Sequence, residues 1–291
     1  MAPSTTTTAN NVWLITGCSS GFGRELALAA RKRGDLVIAT ARKIETLKGL
    51  QELGCDALSL DVTADDATVN DTVAKAHAVY GRIDILVNNA GYTSNGAVEE
   101  ASSEETQQIF DTNVFGLLRV TRAVLPYMRE KKSGTIANIG SLAGYASYPA
   151  CGLYCATKFA VAGVTQALRQ EVAGFGIDVT VVEPGLFQTN LIGAGQFFKK
   201  SIPDYAPLIE FFKNIVENGN GGVPASDPAK GAQAIVEALT HSGRGENRTL
   251  PNRLPLGGDV RDLMQNVLTT GQKELDDWKD FTDPKAFAFE A

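Results

Sequence analysis

"VWLITGCSSGFG", residues 12–23, runs from an apolar, β-branched stretch into a turn carrying Gly17, Gly21 and Gly23, and the helical run "RELALAARKRG" (24–34) follows directly. Two readings fit this order. A plain strand-to-helix turn uses glycine for a sharp reversal. A phosphate cradle uses it so that free backbone N–H groups and the positive helix end can approach a pyrophosphate. The spacing departs from the common G-x-G-x-x-G dinucleotide fingerprint, with three residues between the first two glycines and one between the last pair. Ser19, Ser20 and Phe22 fill the rest of the turn.

Outward from this point, short β-rich runs alternate with helical patterns: "VWLIT" (12–16), "LVIATA" (36–41), "ALSLDV" (57–62), "IDILVNNA" (83–90), "GTIANIG" (134–140) and "IDVTVVEPG" (177–185). Runs apolar on both faces and separated by crossover-length segments predict a parallel sheet covered by helices on each side. The expected fold class is therefore α/β, a Rossmann-like doubly wound sheet of about seven strands. The seventh strand is "NRLPLG" (252–257), where Pro255 suits an edge because an edge tolerates a missing backbone donor. No repeat or low-complexity linker divides the chain, so a single domain is expected over 11–291 behind a disordered tail at 1–10.

The formal charge of −6 is spread over interspersed acids and bases. That excludes the basic stripe needed for nucleic acid or anionic lipid. No apolar run is long enough for membrane insertion and the N-terminus lacks a secretory pattern, so a cytoplasmic location is expected. Cys18, Cys55, Cys151 and Cys155 sit in apolar or Gly-rich surroundings and read as reduced, packed thiols. His77 and His241, the two histidines, have no ligand-like spacing to them, and no metal is expected.

The second strand ends in "ATARK", placing Ala41 and then Arg42 at its tip. An acid there accepts from ribose hydroxyls, whereas a base accommodates a 2′-phosphate, so the pattern favours NADP(H) over NAD(H). An exposed arginine at a strand end also occurs without any ligand. In "GLYCATKFAV" (152–161), Tyr154 and Lys158 stand four residues apart. On a helix they share a face, either by chance or to act on one small molecule.

Taken in order, "TGCSSGFG" (16–23), "LDV" (60–62), "NNAG" (88–91), Asn113 of "NVFG", Ser141 after "ANIG", "YCATK" (154–158) and "PGLFQT" (184–189) resemble the short-chain dehydrogenase/reductase family over about residues 12 to 190. "WLITGCSSGFG" and "RLPLG" look like its hydroxysteroid- and retinol-dehydrogenase-like branch. The resemblance implies hydride transfer between NADP(H) and a carbonyl or alcohol, with Tyr154 as general acid/base. In this reading Lys158 lowers the tyrosine's pKa and binds the nicotinamide ribose, Ser141 polarises the substrate oxygen, and Asn113 helps hold a water in the proton relay. A free phenol titrates near 10, so a neighbouring ammonium is the expected means of lowering it.

By the same resemblance Asp61 and Val62 contact adenine, while Asn88, Asn89, Ala90 and Gly91 pass under the adenosine ribose and support the central strand. Pro184, Gly185, Phe187 and Thr189 cover the nicotinamide amide and diphosphate. It also implies a homodimer or homotetramer joined through helices around 105–130 and 154–172. The Gly- and Phe-rich stretch 190–226 reads as a substrate lid that closes on binding, with hinges at Gly193, Gly195 and 218–222. Phe197, Phe198, Tyr205, Phe211 and Phe212 either line an apolar cleft for a cyclic or lipid-like ketone or form the lid's own core. A biosynthetic reductase of aromatic polyketides and a non-catalytic NADP(H)-binding regulator are the competing functions.

Overall fold

The computed structural model describes residues 10–191, 195–217 and 225–287. Strands in chain order are β1 (Val12–Ile15), β2 (Leu36–Ala41), β3 (Asp56–Ser59), β4 (Ile85–Asn88), β5 (Ser94–Asn95), β6 (Gly134–Ile139), β7 (Ile177–Pro184), β8 (Gln196–Phe197) and β9 (Arg253–Leu256). The helices are α1 (Gly21–Arg33), α2 (Lys48–Glu52), α3 (Asp66–Tyr80), α4 (Ser103–Phe110), α5 (Leu117–Lys131), α6 (Gly152–Val172), α7 (Ala206–Glu217), α8 (Pro228–Leu239) and α9 (Gly258–Asp277).

Seven strands form one parallel sheet in the order β3-β2-β1-β4-β6-β7-β9, as the sequence predicts. β1 shows why both faces must be covered. Trp13 and Ile15 project into a core shared with Leu26 of α1 and Ile235 of α8, while Val12 and Leu14 project into a core with Val73 of α3 and Val124 of α5. β9 occupies the edge, with Pro255 opposite Glu183. The strand order changes direction between β1 and β4, which opens the crevice at their C-terminal ends where ligands of such sheets bind.

A second, two-stranded sheet pairs β5 with β8 in parallel. Gln196 N donates to Thr93 O at 3.0 Å and Phe198 N to Asn95 O at 3.0 Å. Beside it, the buried Glu100 carboxylate accepts from Ala97 N (2.9 Å) and Ile202 N (2.8 Å), and the Tyr205 hydroxyl donates to Glu99 at 2.9 Å. Residues 195–205 of the expected lid are thus stitched to residues 93–105 rather than standing free. Of the expected hinges, Gly195 lies at the start of this stitching. Gly193 and 218–222 lie outside the described residues, as do residues 1–9 of the expected tail. No helix among the described residues is long and apolar enough to cross a membrane.

Candidate active site

The glycine turn is built against the end of β4. Gly17 takes φ +71°, and a Cβ there would meet Ala90 Cα at 2.9 Å. A Cβ on Gly23 would collide with the Gly17 carbonyl and the Asn89 amide. The turn is held by Asn89, whose Nδ2 donates to Thr16 O (2.9 Å) and Gly17 O (3.1 Å), and by Thr16 Oγ1, which accepts from Asn89 N and Ala90 N at 3.0 Å each. Thr16 was not singled out in the sequence, although a threonine ending a strand before a glycine turn is well suited to receive such N–H groups.

At the start of α1, Ser20 is the N-cap but its side chain makes no capping bond, and no acid lies in the first turn. Ser19 and Ser20 are exposed, and beyond Gly21 the first side chain that a Cβ would meet is Thr189 at 3.8 Å. These features leave N–H groups and space for an anion. Arg42 is exposed, forms no ion pair among the described residues and follows the buried Ala41. The glycine turn and this free guanidinium therefore fit a dinucleotide bearing a 2′-phosphate.

Other expected cofactor residues have protein partners. Asn88 is buried and donates to Thr121 Oγ1 and Asn138 Oδ1, both at 2.9 Å, so its side chain braces β4 against β6 and α5. Asp61 accepts from Thr63 N (2.9 Å) and Oγ1 (2.7 Å), while Val62 is buried against Gly116. Phe22 and Phe187 meet edge-to-face with centroids 4.9 Å apart, both packed over Gly231 of α8. Gly185 N donates to Leu256 O at 2.8 Å, and Pro184 closes β7. Gly91 lies against Asn113.

Tyr154 and Lys158 stand one turn apart on α6, Ser141 follows the end of β6, and Asn113 reaches α6 through Thr157. α6 buries both Tyr154 and Lys158, and the Lys158 Nζ lies 5.6 Å from the Tyr154 ring centroid. Ser141 caps a short 3-10 turn, Leu142–Gly144, and its side chain favours the ionised form of the Tyr154 phenol. Asn113 sits in a π-helical turn, Asp111–Gly116, a widened geometry frequent at functional sites. Its Nδ2 donates to Tyr92 O (2.9 Å) and Thr157 Oγ1 (3.2 Å), and its Oδ1 accepts from Tyr92 N (3.0 Å). Of the five aromatics, Phe197 and Phe212 pair at 6.5 Å, Phe198 packs at Gly96 and Phe211 is exposed.

The electrostatics differ from the sequence expectation. Burial pushes the Tyr154 phenol up to about 12, with the Ser141 hydrogen bond opposing it, and Lys158 is not among the groups that lower it. The reason lies with the lysine. Its Nζ donates to Ile139 O at 2.7 Å, and burial pulls its own pKa down to about 8. The tyrosine thus keeps its proton, as an acid must.

A stability effect follows. The unfolded chain keeps the lysine proton up to its ordinary value near 10.5, while the folded chain releases it near 8, so stability rises with pH across that window. Between about pH 8 and 10, below the ordinary tyrosine pKa, denaturant unfolding should show the wild type gaining stability relative to Lys158→Met. Parallel pH curves for the two proteins would contradict this.

The family model for short chain dehydrogenase matches residues 11–196. An oxidoreductase of Botryotinia fuckeliana is 37% identical over 253 residues, covering 86% of this chain and 89% of that protein. An NADPH-dependent pterin aldehyde reductase of Arabidopsis thaliana is 39% identical over 184 residues, covering 62% of this chain and 76% of its own length. The crystal structure of a short-chain dehydrogenase from Streptomyces avermitilis superposes with a TM-score of 0.84 at 42% identity, covering 95% of this chain and 98% of that one.

Proposed function

The chain belongs to the short-chain dehydrogenase family, and from that membership we propose that it is an NADPH-dependent oxidoreductase interconverting a ketone and a secondary alcohol on an apolar cyclic or lipid-like substrate. The observation that carries this reading is the buried pair on α6, Tyr154 and Lys158, with the Lys158 amine 5.6 Å from the tyrosine ring centroid and the Ser141 side chain acting on the phenol. The bound cofactor supplies a hydride. Reduction then places negative charge on the substrate oxygen, which needs one donor to hold it and another to protonate it. Ser141 is the first and Tyr154 the second. With the cofactor bound, Lys158 would hold the nicotinamide ribose, and its positive charge would steady the phenolate that proton transfer leaves. Asn113 fixes the segment after β4 through Tyr92 and links it to α6 through Thr157.

NADPH is the expected partner of the free Arg42 and the open N-terminus of α1, and the Arabidopsis relative's NADPH dependence agrees with this. Arg42→Ala should weaken NADPH binding by about ten- to a hundred-fold, the loss of one charge-assisted contact worth about 1.5–3 kcal/mol, and leave NADH binding nearly unchanged. Equal affinities of the wild type for the two cofactors in a fluorescence titration would remove the basis for this assignment. The exposed Phe115 and Phe159 lie on the segments expected to join subunits and support association through them.

Turnover of NADPH against a panel of apolar ketones, including polycyclic aromatic ones, tests the reaction class and separates the polyketide alternative. NADPH binding with no turnover of any carbonyl would favour the regulator instead.

A further inference from the structure

We propose that Arg253, on the last strand of the sheet, is a positioning residue that holds the Ser141 turn in its working geometry. The inference rests on the reading of Ser141 as the donor to the substrate oxygen. Arg253 Nε donates to both carboxylate oxygens of Glu183, at 3.0 and 2.9 Å, and its Nη2 also pairs with that carboxylate. The same Nη2 donates to Gly144 O at 2.8 Å, and the guanidinium lies 3.5 Å from the centroid of the Tyr145 ring. Glu183 is fully buried, and burial together with the Glu183 carboxylate pushes the Tyr145 phenol up to about 12.

These contacts converge on one short turn. Gly144 N donates to Ser141 O at 2.9 Å, and Ala143 N donates to Ser141 Oγ at 3.1 Å. A Cβ on Gly144 would stand 3.1 Å from Lys158 O, so the turn is seated on the backbone of α6 at the lysine. Arg253 therefore clamps the carbonyl end of a turn whose first residue is Ser141 and whose floor is Lys158. A buried ion pair by itself often adds little stability over apolar side chains of the same size. The donor directed at Gly144 O and the stacking on Tyr145 instead fix where the serine hydroxyl points.

Arg169 supplies a matched control. It pins β7 to the same terminal segment by donating to Val179 O (2.6 Å) and Leu250 O (2.7 Å), without touching the turn. Arg253→Lys keeps the charge opposite Glu183 but loses the planar fork, and Arg169→Lys makes the equivalent change elsewhere. We expect R253K to lower kcat about ten-fold with KM and cofactor Kd within about two-fold, in keeping with the cost of small misplacements at a reacting centre. Hydrogen exchange at the Ala143, Gly144 and Tyr145 amides should speed up in R253K.

R169K should lower Tm while leaving kcat and those three amides unchanged. Equal kcat and equal protection at 143–145 in the two variants would overturn the proposal. Should R253K fail to fold, E183Q/R253Q removes both charges together, so that no buried carboxylate is left unpaired, and carries the same comparison. A wild type without carbonyl turnover would refute the functional reading alone, because the exchange comparison still decides whether Arg253 holds the turn.

Discussion

Tyr154→Phe lowers kcat by at least about two orders of magnitude, the scale of a positioned acid–base group, while Tm and the Kd for NADP(H) stay near the wild-type values. The substitution removes one oxygen. The ring remains beneath Lys158, and the Tyr154 carbonyl keeps its bond from Thr157 Oγ1 at 2.7 Å, because that bond is made by the backbone. The lost partner is the Ser141 side chain, which can still accept from Ala143 N. Steady-state kinetics with NADPH, run beside thermal unfolding and a cofactor titration, checks all three quantities. A kcat near that of the wild type would exclude Tyr154 as the proton donor.

Gly23→Ala destabilises the fold by about 3 kcal/mol, at the upper end of ordinary overpacking costs, and weakens cofactor binding at the same time. The added methyl points at the Gly17 carbonyl and the Asn89 amide, neither of which can yield easily. Gly17 is fixed by its positive φ and by Ala90, and Asn89 by two hydrogen bonds to the turn. Gly49, where an added methyl would meet nothing within 4 Å, is the comparison: Gly49→Ala should be neutral or slightly stabilising in the same urea titration. Equal stability losses at the two positions would mean that the turn is not closely packed on β4.

The fold was readable because its signals are local. Most sheet strands are short, largely apolar runs, β1 passes straight into its glycine turn, and Pro255 announces an edge, while β3 with Asp56 and Ser59 is the polar exception. Ser141, Tyr154, Lys158 and Asn113 could be picked out through the family motifs: Ser141 follows a strand end, Tyr154 and Lys158 share a face of α6, and Asn113 sits in a π-helical turn. What stayed hidden depends on segments far apart in the chain. Nothing near Phe22 shows that its ring meets Phe187 over Gly231. The parallel pairing of Ser94–Asn95 with Gln196–Phe197 leaves no periodic pattern in strands of two residues.

The direction of the Tyr154 shift was missed for a similar reason. Spacing places the lysine beside the tyrosine, but only the packed structure reveals how completely both are buried and that the amine bonds Ile139 O. Desolvation then sets the direction of the shift. Glu183 and Arg253 carry no signal of each other in the sequence, because their meeting beside Gly144 depends on the β7–β9 register.

That register also sets a timetable for synthesis. Ile177–Pro184 is almost wholly buried in the finished molecule, and its outer neighbour is Arg253–Leu256. At roughly 5–20 residues per second, the ribosome needs about 3–14 s to travel from Pro184 to Arg253. During that interval the nascent chain carries an apolar strand with one unpaired edge, the kind of surface that templates association between chains. Glu183 lies on that strand and waits for its arginine through the same seconds. The late arrival of one four-residue strand thus leaves this half of the sheet open to such association until Arg253–Leu256 has been made.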